Sequence, residues 1–319
     1  MSAGKKRGWS HLGAGTVGAL IGVSGVFMAG FGLSSVGEAE QPMNQQQMMQ
    51  MMSKFQEHTP AKGYLAARRG LDEPQELLGG AVNVTVTQEG GGVLVGLPDK
   101  RKIDPAVFGT PEMPRRFGGT PGITGLNNSP FGDKFMQLGN ADLSIRVTDA
   151  TATDAAKTED KIEFRAKWED RSGNIYEVRC NQPIPMGLEF PTFGGVMTNH
   201  ILHGVTGLGT PLMPTEYSYM AFWGMGTVFK NGQQIDGPRL VHGMLTEYVR
   251  AEGYKLAHDH EVTPQRRHFH LMVSPFKPNM QTGHFERQPV KTGFELPNGM
   301  ELPFWHVMFE NLDINATRG

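Results

Sequence analysis

Cysteine is nearly absent from this 319-residue chain: a single thiol, Cys180, excludes intrachain disulfides, Cys-only zinc sites and CxxC redox chemistry. Charge is sparse too, at 19% of residues with a formal balance of −2. Such a balance supplies no basic field, which argues against nucleic acid as the main partner. The sequence also lacks a G-x-S-x-G elbow, an H-E-x-x-H helix, a P-loop and an EF-hand loop, so the common signatures of hydrolases, zinc peptidases, nucleotide-triphosphate enzymes and calcium sensors are missing. Glycine (42) and methionine (19) are plentiful instead. A hydrophobic share of 38% is low but suffices for a core at this length.

The first 39 residues read as an address. Lys5, Lys6 and Arg7 precede a charge-free run from Leu12 to Val36, and Gly37 and Ala39 sit three and one positions before a cut ahead of Glu40. Basic, apolar and small-residue regions in that order make a secretory signal peptide. Residues 12–36 are also long enough to span a bilayer as an uncleaved membrane anchor. The destination expected is therefore periplasmic or secreted, or else membrane-anchored and facing outside the cytoplasm. Gly13-Ala14-Gly15-Thr16-Val17-Gly18 matches a dinucleotide fingerprint, but the basic, polar residues before it cannot be the buried strand that the fingerprint needs.

Residues 40–79 form a Met/Gln-rich tether. Met48, Met51, Met52 and Phe55 fall at i, i+3, i+4 and i+7, which predicts a short amphipathic helix within 42–60. Its apolar face suits packing on the domain or docking on another envelope protein, and its thioethers are alternatively ligands for Cu(I).

From residue 80 to 319 the period is two, and we expect an all-β domain, an antiparallel β-sandwich or barrel-like fold. In Lys161–Glu169, Ile162, Phe164, Ala166 and Trp168 alternate with charged residues, the mark of a half-buried antiparallel strand. Asn231-Gly232 between two such runs predicts a type I′ hairpin turn. Further strands are expected at 217–228, 240–249, 254–261, 268–273 and 304–310. Residues 98–131 make a long Pro/Gly-rich loop that is functional, wraps the surface or conceals short strands.

The chemistry-bearing residues are histidines. Nine of the eleven lie between His200 and His306. Three form H-x-M pairs: His242 with Met244, His270 with Met272, and His306 with Met308. Two more form H-x-H pairs, His258 with His260 and His268 with His270. Both patterns exceed what random placement of 11 histidines and 19 methionines gives. On a strand, residues two apart share a face about 7 Å apart, so imidazole and thioether placed this way can close on one transition-metal ion. The mixture without cysteine points to copper first, with iron or zinc next. A hairpin register with His258 opposite His270 and His260 opposite His268 would gather four imidazoles, but sequence does not choose the register. The competing reading is that the methionines fill core gaps and the histidines, opposite Phe269, Leu271 and Val273, are either satisfied by ordinary partners or solvated. Glu216 and Glu247 are the nearest carboxylates, each a hard co-ligand or a general base. His200 and His203, beside the glycine-rich Gly204–Pro211 stretch, could line a pocket mouth.

Trp305-His306-Val307-Met308-Phe309 resembles the H-x-M strand of periplasmic copper chaperones with a cupredoxin-like sandwich. The segment from His270 through Pro275, Gly283-His284 and Lys291-Thr292-Gly293 is similar to the C-terminal part of periplasmic iron- and copper-binding proteins of iron-uptake systems. The chaperone pattern places a methionine 22 residues before the H-x-M histidine. His284 holds that position for His306, a departure, whereas Met220 holds it for His242. The resemblance implies metal capture or delivery outside the cytoplasm, without turnover. Three functions therefore compete: an exported metal carrier or accessory subunit, a structural or interaction protein of the cell envelope, and a metal-dependent oxidoreductase or hydrolase.

Overall fold

Alternation of apolar and polar residues becomes antiparallel pairing throughout the computed structural model, which describes residues 81–102, 126–129, 132–150, 159–184, 195–203, 213–279, 281–282 and 284–318. The expected signal or anchor (1–39) and the tether (40–79) lie outside the described residues. Among those described, no helix is long and apolar enough to cross a membrane.

The first strands are β1 (Val82–Gln88), β2 (Val93–Gly96), β3 (Asp99–Lys102), β4 (Leu126–Ser129) and β5 (Phe135–Asp149). β6 (Lys161–Glu169), β7 (Ile175–Pro183), β8 (Gly195–Leu202), β9 (Glu216–Lys230) and β10 (Gln233–Tyr248) follow. The last are β11 (Thr263–Val273), β12 (Phe276–Asn279), β13 (His284–Arg287), β14 (Trp305–Phe309) and β15 (Asp313–Arg318). Pairing runs β5-β2-β14-β11-β10-β9-β7-β6, and β6 pairs back onto β5. Eight antiparallel strands thus close a ring. β1 and β15 extend it from β5, and β8 adds to β9 where β7 leaves off.

Every ring strand turns one face into a single apolar cluster. Phe164 of β6 and Phe269 of β11 stand four places apart around the ring, yet their ring centroids are 5.9 Å apart. Trp168 of β6 meets Trp305 of β14 edge-on at 4.8 Å. The interior is therefore packed with side chains, as an eight-stranded closure allows. Each buried large apolar side chain there contributes about 1.5–3 kcal/mol. The rings need space, and Gly243 provides it: a Cβ there would lie 2.6 Å from Phe222 Cζ and from Phe269 Cζ.

Asn231 and Gly232 have φ of 51° and 80°, the two positive values that a type I′ turn demands. The Asn231 side chain also accepts a hydrogen bond from the Ile175 N–H at 2.8 Å, tying the hairpin to β7. Within the long 98–131 loop, β3 and β4 pair as a separate two-stranded sheet.

The expected strand over 254–261 is not formed. Two short 3-10 turns, Glu252–Tyr254 and Asp259–Glu261, occupy the region. Gly253 and Tyr254 both take positive φ, 69° and 60°, which breaks extended backbone. Asp259 folds inward to accept the Thr215 N–H at 2.7 Å, and Glu261 accepts the His258 N–H at 2.8 Å. The alternation of Leu256 and Val262 instead serves a layer that packs outside the ring.

Candidate functional site

Along β10, β11 and β14, alternate residues face away from the interior, and these are the histidines and methionines. Val241, Leu245, Phe269, Leu271, Val273, Trp305, Val307 and Phe309 belong to the interior cluster. Their neighbours carry His242 and Met244 on β10, His268, His270 and Met272 on β11, and His306 and Met308 on β14. Strand register sets these side by side. Met272 pairs with His242 on one side and His306 on the other, while His270 pairs with Met244 and Met308. The three H-x-M motifs thus form a checkerboard in which each imidazole has thioether neighbours across the strands.

This outer face is not solvated, contrary to the solvated reading of the sequence. His268, His270, His306 and Met308 are 0–2% exposed. A second layer covers the face: Met213, Val249, Leu256, Ala257 and Val262 cluster with Met272. Arg250 is buried there as well, its Nε and Nη2 on Met308 Sδ at 3.3 and 3.2 Å.

Three imidazoles make a chain under that layer. His270 Nδ1 lies 3.0 Å from His306 Nε2, and His270 Nε2 lies 2.6 Å from His268 Nε2. A fully buried carboxylate, Glu216 at the start of β9, joins them: ligand atoms of Glu216, His268 and His270 all lie within 4.8 Å of one another. His203 adds a fourth imidazole, its Nε2 3.5 Å from Glu216 Oε1 and 3.3 Å from Met244 Sδ. Burial pushes His270 and His268 well below the ordinary imidazole range. Neighbouring imidazoles add to this at His270, and the Arg250 guanidinium adds to it at both. Both are therefore neutral at pH 7, the form that offers a lone pair to a metal.

Bonds of 2.0–2.1 Å to one ion place two nitrogens about 3.3 Å apart at a tetrahedral angle and about 2.9 Å apart at a right angle. The 2.6 Å between His268 and His270 is a hydrogen-bond distance that must open by a few tenths of an ångström to take an ion. If His270 offers Nε2 as ligand, its proton sits on Nδ1 and is donated to His306 Nε2, the outer partner that fixes a ligating histidine's tautomer.

Of the nine residues expected to ligate, the structure joins His268 and His270 directly, with His306 in contact behind His270 and Met308 and Met244 flanking. His242 lies one row further, its ring stacked on Trp223 at 4.4 Å and its Nδ1 2.9 Å from Phe222 O. Met272 lies in that row. His258 precedes the second 3-10 turn and His260 stands on it, half-buried and exposed respectively, with near-parallel rings 6.1 Å apart. The register that would have gathered them with His268 and His270 does not exist, because no strand forms there. Met220 faces the interior cluster, away from His242. His200 Nδ1 donates to Thr198 O at 2.6 Å, and Glu247 accepts the Tyr217 N–H at 2.8 Å.

Glu216, weighed in the sequence as a co-ligand beside Glu247, and His203, weighed there only as a pocket-mouth residue, are the members outside the nine expected ligands. They arrive from the N-terminal end of β9 and from just past β8, strands that pair with each other at Leu202 and Glu216. The available signal was an acidic residue opening an apolar strand, Glu216-Tyr217-Ser218-Tyr219. No family model, curated protein or solved structure matches the chain.

Proposed function

We propose that the protein is an exported metal carrier or accessory subunit that holds one divalent first-row transition ion through Glu216, His268 and His270. The observation that supports this most is a fully buried carboxylate converging with two buried imidazoles to within 4.8 Å. A carboxylate oxygen is a hard donor, so this set suits Zn(II), Fe(II) or Cu(II) better than Cu(I). Copper remains among the candidates as Cu(II). His203 lies beside the carboxylate, its Nε2 3.5 Å from Glu216 Oε1, but outside the set of donors that converge within 4.8 Å. A shift of His203 toward these three donors would close a four-donor set suited to holding an ion, whereas three donors alone leave the open position that turnover needs. Export rests on the Lys5–Arg7 cluster and the charge-free Leu12–Val36 run that follows it.

A second reading has one specific observation in its favour. Nitrogen separations of 2.6 and 3.0 Å also suit a metal-free chain of hydrogen bonds through His306, His270 and His268. Titrating metal-free protein with Co(II), whose visible bands report coordination, separates the two. One equivalent bound, with bands lost in Glu216→Gln and His270→Ala, supports the ion. No uptake, together with an unfolding midpoint indifferent to Zn(II), Co(II) and Cu(II), leaves the hydrogen-bonded chain.

A further inference from the structure

We propose that His242 and Met272 form a second site, for a soft monovalent cation such as Cu(I), on the row that runs Trp223–His242–Met272. The pair is made across strands rather than along one: Met272 of β11 is the register partner of His242 of β10, and Trp223 of β9 is the partner of His242 on the other side. All three side chains stand on the outer face of the ring.

The tautomer of His242 follows from its partner. Phe222 O lies 2.9 Å from Nδ1, and a carbonyl can only accept, so Nδ1 carries the proton and Nε2 the lone pair. Burial pulls the ring down to about 4, so this neutral form persists through the physiological range. Stacking on Trp223, with planes 16° apart, fixes the direction of that lone pair. An imidazole nitrogen and a thioether sulfur without a carboxylate form a soft donor set, which selects Cu(I) or Ag(I) over the divalent ions suited to Glu216.

Access separates the two centres. His242 and Met272 are 6% and 7% exposed, against 0% for His268 and Glu216. The Trp223–His242–Met272 end of the row lies one strand repeat, about 7 Å, from the Met244–His270–Met308 row, while the row's far member, His306, is the one that reaches His270, at 3.0 Å. The proposal does not depend on an ion at Glu216. Cys180 is the competing soft group, but it is buried with its thiol pushed up to about 12 by burial, so it is protonated and enclosed.

The test uses the full chain with methionines labelled at the methyl carbon, in chloride-free buffer, titrated with silver nitrate and followed by NMR. The Met272 methyl resonance is identified by its absence in Met272→Leu, a near-isosteric change that retains the fold. It is expected to shift and saturate at one equivalent for this site, and to need at least tenfold more silver in His242→Gln. Labelled methionines of the 42–60 segment report separately, so their binding does not obscure the result. A Met272 resonance unmoved by silver overturns the proposal, as does a shift of equal affinity in His242→Gln. Loss of the shift on adding one equivalent of Zn(II) would overturn the separateness of the two centres.

Discussion

Acidifying the metal-free protein tests the buried imidazoles through stability. His242, His268 and His270 are neutral in the folded chain because burial disfavours their charged forms. Unfolded, each returns to an ordinary value near 6.5 and takes up a proton below it. The unfolded state therefore binds more protons, and stability falls as pH drops below 6.5. Each such histidine costs at most about 1.4 kcal/mol per pH unit, until the folded value is reached. For His242, with a folded value of about 4, the loss is about 2 kcal/mol at pH 5. His268 and His270, also pushed down by burial, lose stability in the same direction as pH falls below 6.5. Three carboxylates with lowered values lie outside this window. Asp170, Glu177 and Asp236 are held low by hydrogen bonds that outweigh their burial, and they lose stability only as pH falls through 4.5 and below. Urea denaturation in EDTA at pH 7.5, 6.5, 5.5 and 5.0 measures the slope. His242→Gln is expected to remove about one proton's share of it. A midpoint flat between pH 6.5 and 5.0 would refute the reasoning.

Two further changes probe the frame that carries the site. Gly243→Ala places a methyl against the Phe222 and Phe269 rings and is expected to cost about 1–3 kcal/mol, read as a lower urea midpoint; an unchanged midpoint would mean that the interior is loosely packed. Arg239 is buried, bonds Asp236 at 2.7 Å, and holds Gln288 O and Pro289 O at 2.6 and 2.9 Å. Arg239→Ala leaves a buried carboxylate without its cation and is expected to cost about 3–5 kcal/mol in the same assay, whereas a loss under 1 kcal/mol would show that the pair behaves as a surface one.

Strands were legible wherever apolar residues alternate without interruption, as in Ile162–Trp168 and Leu143–Val147, because one face of each enters the interior. The 231–232 turn was legible because so few residues tolerate two positive φ values in succession. Placing His242, His270 and His306 on strands was likewise a local matter. Their meeting was not, because it depends on pairings such as His270 with Met308 across 38 positions, and register is a long-range property. Burial of that face was equally hidden: the covering layer comes from Met213–Glu216 and Val249–Val262, whose own pattern reads as strand until Gly253 and Tyr254 turn left-handed. Glu216 could be told from Glu247 as a co-ligand only in three dimensions, since an acid at the head of a strand says nothing of what lies across the sheet from it.

An ion held as proposed brings one carboxylate and two imidazoles together around it. Crystals of protein loaded with Zn(II), diffracted at the zinc edge, test that arrangement most directly. A single strong anomalous peak is expected about 2.0–2.2 Å from an oxygen of Glu216 and from a nitrogen of each of His268 and His270. A zinc-soaked structure with no peak among those three side chains, and with the His268 and His270 nitrogens still at hydrogen-bond distance, would contradict it.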